Sequence, residues 1–337
     1  VPPIVLPVLV NLVADIGYNP GDEVPIPCGS AGNNAATEQC LSVFVDGINL
    51  YVHTGFLSAG NEANVVMWSP TVANTMTNIS VAARWALKVY LIQPTNGLAF
   101  TVGDIANNTG ANSTAHGFTS TPNLVFPVYH YTANDANLAT TAGMEQNIDC
   151  TAQNVGAKGC PSAVRVNATN VLSNTAQFVA GLEGNFVCWV VNQFNFRTPS
   201  SLNNCVLRTR VFSITPSFVQ TVAVGFGQFS FAHGFTKTPQ LVYPVISCIA
   251  NDAASGYTAG DEIPLKQFTE SKGAFGYFRP GSACLVAANA TKIFGDTSAL
   301  HTGGGIEGII NAWQTPASNL NPTFNGNFQL KIYAWAI

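Results

Sequence analysis

Ala115-His-Gly-Phe-Thr-Ser-Thr-Pro-Asn-Leu-Val-Phe-Pro-Val128 and Ala232-His-Gly-Phe-Thr-Lys-Thr-Pro-Gln-Leu-Val-Tyr-Pro-Val245 are near-copies of one stretch, 117 positions apart. A third, partial copy opens the chain: Ile4-Val-Leu-Pro7-Val8 aligns with Leu124-Val-Phe-Pro127-Val128 and Leu241-Val-Tyr-Pro244-Val245. The repeat extends outward from there. Gly17-Tyr-Asn-Pro-Gly-Asp-Glu-Val-Pro25 matches Gly256-Tyr-Thr-Ala-Gly-Asp-Glu-Ile-Pro264, and Ala139-Thr-Thr-Ala-Gly-Met-Glu145 is the degraded middle version. Each copy closes alike, with Leu87-Lys-Val-Tyr90, Leu207-Arg-Thr-Arg210 and Leu330-Lys-Ile-Tyr333. A period of about 120 residues is too long for a solenoid unit and suits a small domain.

The apolar residues come in short runs broken by Pro, Gly, Asn and Thr, the pattern of strands and turns rather than helices. Hydrophobic residues make up 47% of the chain, yet no run is long enough to cross a membrane. Phe218–Val224, Gly227–Ala232, Leu241–Ile249, Ala283–Ala287, Gly308–Trp313 and Phe328–Trp335 read as the strands of copy three. In the last of these, Leu330, Ile332 and Ala334 point one way and Lys331, Tyr333 and Trp335 the other. The expected fold is therefore all-β: three tandem antiparallel β-sandwich domains over residues 1–94, 95–214 and 215–337. Pro7, Pro127 and Pro244 cannot donate to a ladder and should lie at an edge, a bulge or an open side of their strand.

The His-Gly-Phe-Thr-x-Thr-Pro stretch reads as a corner joining two strands. Gly permits the tight turn, and the residue before Pro is extended. His116 and His233 should hydrogen-bond backbone across that corner. Copies two and three are led in by Gly97–Val102 and Phe218–Val224. Copy one starts after the corner, so a strand of that copy should lack a neighbour unless upstream residues or another molecule supply one.

Charged residues are only 9% of the chain and the net charge is −4. With no basic block, nucleic acid is excluded as an expected partner. Low charge with abundant Asn, Thr and Ser suits a chain that meets other protein or sugar surfaces. The eight cysteines suggest four disulfides within copies, Cys28–Cys40, Cys150–Cys160, Cys188–Cys205 and Cys248–Cys284; the competing reading is free buried thiols, which are common in strands. No CxxC pair and no histidine at ligand spacing argues for zinc. Sequons stand at Asn78, Asn107, Asn112, Asn167 and Asn289.

The corner followed by Gly-Tyr-x-x-Gly-Asp-Glu resembles a domain widespread in bacteriophage virion and tail-fibre proteins. Trp313-Gln-Thr and Leu330-Lys-Ile-Tyr-Ala-Trp-Ala-Ile337 are similar to the closing strands of H-type lectins, six-stranded sandwiches that act as trimers. The lectin likeness implies a glycan site built from an Asp, an Arg and an aromatic near subunit boundaries. Asp15 or Asp252, Arg165, and Trp68, Trp189 or Trp313 are the matching residues here.

No nucleophile elbow, zincin helix, phosphate loop or dinucleotide fingerprint occurs. Asp22, Glu23, Asp261 and Glu262 are the acidic pairs that could hold a Ca²⁺ ion. The competing reading makes them polar turns in which the carboxylate caps backbone N–H groups. The expected function is non-enzymatic and needs no cofactor. It is that of a structural virion protein (fibre, spike, decoration or capsid-associated subunit) at the virion surface or outside the cell. Its partners would be copies of itself, other virion proteins and, second, a host-surface glycan. The alternatives are a lectin-like adhesin and a cellular extracellular filament subunit.

Overall fold

A computed structural model describes residues 4–25, 42–53, 66–68, 70–71, 76–93, 98–105, 111–147, 163–174, 188–189, 196–197, 200–223, 227–253, 256–264, 285–297, 313–314, 318–319 and 326–336. Copy one supplies β1 (Ile4–Asn11), β2 (Glu23–Pro25), β3 (Ser42–Val45), β4 (Leu50–His53), β5 (Val66–Trp68), β6 (Met76–Asn78) and β7 (Trp85–Ile92). Copy two supplies β8 (Leu98–Ile105), β9 (Ala111–Ala115), β10 (Leu124–Tyr131), β11 (Glu145–Asn147), β12 (Ala163–Val166), β13 (Asn170–Asn174), β14 (Cys188–Trp189), β15 (Phe196–Arg197) and β16 (Cys205–Ser213). Copy three supplies β17 (Phe218–Ala223), β18 (Gln228–Ala232), β19 (Leu241–Cys248), β20 (Glu262–Pro264), β21 (Leu285–Ala288), β22 (Lys292–Asp296), β23 (Trp313–Gln314), β24 (Ser318–Asn319) and β25 (Phe328–Trp335). The protein is all-β, and its ladders are antiparallel.

Each large sheet draws strands from two copies. One runs β18-β22-β21-β2-β1-β7, joining copy three to copy one; a second, β4-β3-β11-β10-β16-β8, joins one to two. The third, β17-β25-β19-β20-β12-β13-β9, joins three to two. The three junctions are short: Glu23 pairs with Ala288, Val45 with Glu145, and Val166 with Glu262. The joins close a cycle, so copy one meets both of the others. Three two-stranded ribbons, β5-β6, β14-β15 and β23-β24, complete the strands among the described residues.

Alternation along β25 puts its two faces into different cores. Leu330, Ile332 and Ala334 enter one cluster with Val5, Leu9, Val242, Ile246, Val286 and Ile293. Tyr333 and Trp335 enter another with Ile4, Ile92, Leu124, Phe126, Phe212 and Tyr243. The first is a core between facing sheets. The second gathers residues from all three copies, so both faces of these strands are buried. Tyr243 of copy three also donates its hydroxyl to the carbonyl of Val125 in copy two.

The prolines obey the donor rule in a particular way. Pro7, Pro127 and Pro244 lie in strands flanked on both sides, not at sheet edges. Four residues on, Asn11, Tyr131 and Cys248 donate N–H groups toward β2, β11 and β20 or the turns before them. Alternation then turns each proline nitrogen to the same side, one residue past the last paired position of those three-residue strands. No ladder bond is lost there.

The cysteines need a correction. Cys205 and Cys248 are buried thiols, not disulfide halves, so the pairs Cys188–Cys205 and Cys248–Cys284 are not formed. Both side chains behave as small core groups in strands: Cys205 stands in β16 where Trp85 and Phe328 stand in β7 and β25, and Cys248 Sγ lies 2.9 Å from the carbonyl of Ala250. Burial, with the charge of Asp135 added, pushes the Cys205 thiol up to about 12. Cys28, Cys40, Cys150 and Cys160 lie outside the described residues, as does Cys284. We expect Cys205 to resist iodoacetamide in the native protein and to react once it is unfolded, read by mass spectrometry of the alkylated peptides.

The turn after each central strand needs positive φ. Gly17 (φ 92°) and Gly256 (φ 72°) supply it, whereas copy two places Ala139 there at φ 55°. A Cβ on Gly17 would also come within 2.8 Å of the Thr71 hydroxyl. Gly17→Ala should therefore destabilise by about 1–2 kcal/mol, and Ala139→Gly should be neutral or stabilising by up to about 1 kcal/mol, in thermal melts.

Candidate functional site

Acidic and basic residues face one another at the junctions between copies. Glu23, Glu145 and Glu262 occupy equivalent places at the start of the short strands β2, β11 and β20. Each pairs through its backbone with the neighbouring copy and turns its carboxylate toward its own copy's closing strand. Glu23 Oε1 accepts from Lys88 Nζ at 2.8 Å, and Oε2 from the Tyr90 hydroxyl at 2.9 Å. Glu262 Oε1 accepts from Lys331 Nζ at 2.8 Å, and both its oxygens lie 3.0 Å from the Tyr333 hydroxyl. In copy two, Arg208 and Arg210 donate to Glu145 Oε1 at 2.9 and 2.6 Å, with His130 Nδ1 at 3.4 Å. Burial works to raise the Glu145 pKa. The hydrogen bond from Arg210 and the charges of Arg210, Arg208 and His130 outweigh it and hold the carboxyl below its ordinary value. At Tyr333, burial and the adjacent Glu262 carboxylate both push the phenol upward.

The preceding acidic residue acts within its turn. Asp22 Oδ2 accepts the N–H of Asn19, and Asp261 Oδ2 that of Thr258, both at about one hydrogen-bond length (2.8 and 2.9 Å). This is the capped polar turn that short acidic clusters favour. The other partners of these aspartates come from across the junction. Asn289 donates its side-chain N–H to Asp22 at 2.9 Å. Arg165 lies 3.3 Å from Asp261, donates to the carbonyl of Gly256 at 3.2 Å, and stands over the Tyr257 ring at 4.5 Å. No group of three or more metal-type ligands occurs among the described residues.

Of the glycan candidates, the structure brings Arg165 and Asp252 to one loop: Asp252 donates its N–H to the carbonyl of Tyr257, and its own carbonyl accepts from Gly256. Asp15 is placed elsewhere. Its carboxylate takes the N–H and hydroxyl of Ser80 and the indole N–H of Trp85, with Arg84 at 3.5 Å. Burial would raise its pKa, but these hydrogen bonds and the Arg84 charge hold it low. Asp135 holds Ser200 and Asn204 in the same way in copy two. Trp68, Trp189 and Trp313 each begin or end the first strand of a two-stranded ribbon. Arg165 is thus near Asp252 only through the loop of Gly256 and Tyr257, Asp15 has Arg84 and Trp85 beside it instead, and none of the described contacts brings Trp68, Trp189 or Trp313 to either aspartate.

His116 and His233 do what a corner requires. Each ring accepts the N–H two residues on through Nδ1, at 3.0 and 2.9 Å, and its Nε2 meets the carbonyl of Asn167 or Asn289 at 3.0 and 2.9 Å. The Asn289 amide nitrogen, the atom a glycan would modify, is engaged by Asp22. The Glu145 site and the Lys/Arg positions of the closing strands escaped the sequence reading. The signal was present: Lys88, Arg208 and Lys331 hold one aligned position.

No helix among the described residues is long and apolar enough to cross a membrane. No family model, curated protein or solved structure matches the chain.

Glu145 gives a test with a defined sign. Its pKa is lower folded than unfolded, so its contribution is complete above the ordinary glutamate value of ~4.3 and fades as pH falls through the folded value. Glu145→Gln should cost about 3 kcal/mol at pH 7, because two arginines lose a buried partner. The gap between wild type and variant should narrow below about pH 4 in denaturant titrations.

Proposed function

We propose that the chain is a non-enzymatic structural subunit of a virus particle, a fibre, spike, decoration or capsid-associated protein that works by assembly at the virion surface. In this reading it is three diverged copies of one sandwich domain, residues 1–94, 95–214 and 215–337, closed into a pseudo-threefold unit. The observation that carries it is the stitching of every large sheet across a copy boundary. Each described carboxylate there holds strands or turns through at least one oxygen bound to a cation, a hydroxyl or a backbone N–H, although Glu145 Oε2 and Asp261 Oδ1 have no hydrogen-bond partner among the described residues. That supports a load-carrying role rather than a reacting one. The resemblance of the corner and the Gly-Tyr-x-x-Gly-Asp-Glu loop to phage virion domains points the same way.

The second reading is a glycan-binding adhesin, favoured by Arg165, Asp252 and Tyr257 meeting where copies two and three join. Quantitative mass spectrometry of purified, salt-washed particles separates the two. A fixed number of copies per particle is expected, and recovery only from a soluble fraction would refute the virion assignment. A glycan array should show no binding. Binding that Arg165→Ala abolishes would replace the first reading with the second.

A further inference from the structure

The closing strands β7, β16 and β25 are equivalent, but only two of them are covered. β8 pairs along β16 and β17 along β25, whereas among the described residues β7 has no strand on its outer side. The register aligns Leu87, Val89 and Leu91 with Leu207, Thr209 and Val211, and with Leu330, Ile332 and Ala334. Leu91 is 51% exposed, while Val211 and Ala334 are 0%. Leu87 and Val89 are half-buried, whereas the four residues aligned with them are buried. By the alternation of an antiparallel ladder, the N–H and C=O groups of these same three residues face the uncovered side, since Lys88 pairs inward with Val8.

An edge that is meant to stay bare is usually blunted by proline, a bulge or unpaired charge. β7 carries none of these: it reads Trp-Ala-Leu-Lys-Val-Tyr-Leu-Ile, and its one lysine is bound to Glu23. It has the sequence of an inner strand. The covered copies specify what fits. Phe100 lies opposite Val211 and Phe218 opposite Ala334; Ile105 lies opposite Leu207 and Val222 opposite Leu330.

We propose that β7 is a docking edge for an extended segment of another polypeptide, which adds antiparallel to it by β-augmentation. The segment carries an aromatic residue opposite Leu91 and an aliphatic residue opposite Leu87, the spacing of Phe218 and Val222. A second edge with no neighbour among the described residues, β4, marks where its continuation runs, because β9 and β18 cover the equivalent β13 and β22. The turn beside β4 suits a foreign occupant. In all three copies the side chain of the aligned Asp46, Asn167 or Asn289 closes the turn; in copies two and three the carbonyl of that residue also meets the corner histidine, whereas in copy one Tyr51 donates to Asp46 and Ile48 stands 92% exposed.

The test uses the whole chain and a synthetic peptide of residues 217–223. Amide exchange at Leu87, Val89 and Leu91 should slow by about tenfold or more on saturation. A peptide with serine in place of Phe218 and Val222 should leave it unchanged, as should the native peptide with Leu91→Glu, whose unaltered melting curve certifies its fold. Absence of protection in wild type at millimolar peptide overturns the proposal. A photo-cross-linker at position 91, in protein assembled in its native source, then identifies the occupant. A link to a different polypeptide, at a segment with an aromatic and an aliphatic four apart, supports it. A link to the chain's own polypeptide, or none, overturns it.

Discussion

The glutamate that opens each short strand β2, β11 and β20 ties together the two levels of this structure. Its backbone is the last paired position of one copy and the first pairing partner of the next. Its carboxylate reaches a cation on the closing strand of its own copy, two strands away across the sheet. A charge so buried is tolerable only with its partners in place. The ion pair therefore fixes the spacing of strand, neighbour and closing strand exactly where a sheet passes from one copy to another. A slip of one residue would turn that glutamate to the opposite face.

The low charge of the chain follows from the same geometry. A strand with one wet face alternates polar and apolar residues, but the central strands β1, β10 and β19 are covered on both faces. β10 and β19 are therefore nearly continuous apolar runs. Their outward face meets the cluster shared by all three copies, where Leu124, Phe126, Leu241, Tyr243 and Trp335 converge. Composition alone suggested a surface-binding chain. Much of that apolar surface is instead buried internally, and the outer side of β7 is one place among the described residues where it is not.

The strands Phe218–Ala223, Gln228–Ala232 and Leu241–Cys248 and the two-faced pattern of β25 were legible because their periods are short and their turns carry Gly and Pro; Lys292–Asp296 was missed, and the expected strand Gly308–Trp313 lies outside the described residues except for Trp313. So were the corner histidines, whose only nearby partners in sequence are backbone groups. The sharing of sheets between copies was not legible, since a three-residue strand such as Glu262–Pro264 gives no period and its partner Val166 lies about a hundred residues away. The cysteine pairing failed for a related reason. An even count within copies says nothing of which side chains face one another, and Cys205 and Cys248 take up core positions that Trp85 and Phe328 also fill or adjoin. The acidic pairs were half-read: their first members cap turns as short carboxylates do, but the second members required the tertiary partner strand to be seen.

Three copies in one chain need not stay alike, and the junctions record that freedom. In a homotrimer one sequence must serve every junction, so each residue is tested three times by any substitution. Here each junction has its own solution. Asp22 is answered by Asn289, while Asp261 is answered by Arg165, a residue whose aligned counterparts are Phe44 and Ala287. Where copy two has Met144 in place of the aspartate, no carboxylate needs an answer, and the side chain is simply buried. Loss of the acid and loss of its partner are compatible only if they fall on the same junction. Covalent linkage makes that possible, because it fixes which copy meets which. The arginine cluster on Glu145, the alanine at positive φ and the bare edge of β7 are then consequences of one condition: each copy answers only to its own two neighbours.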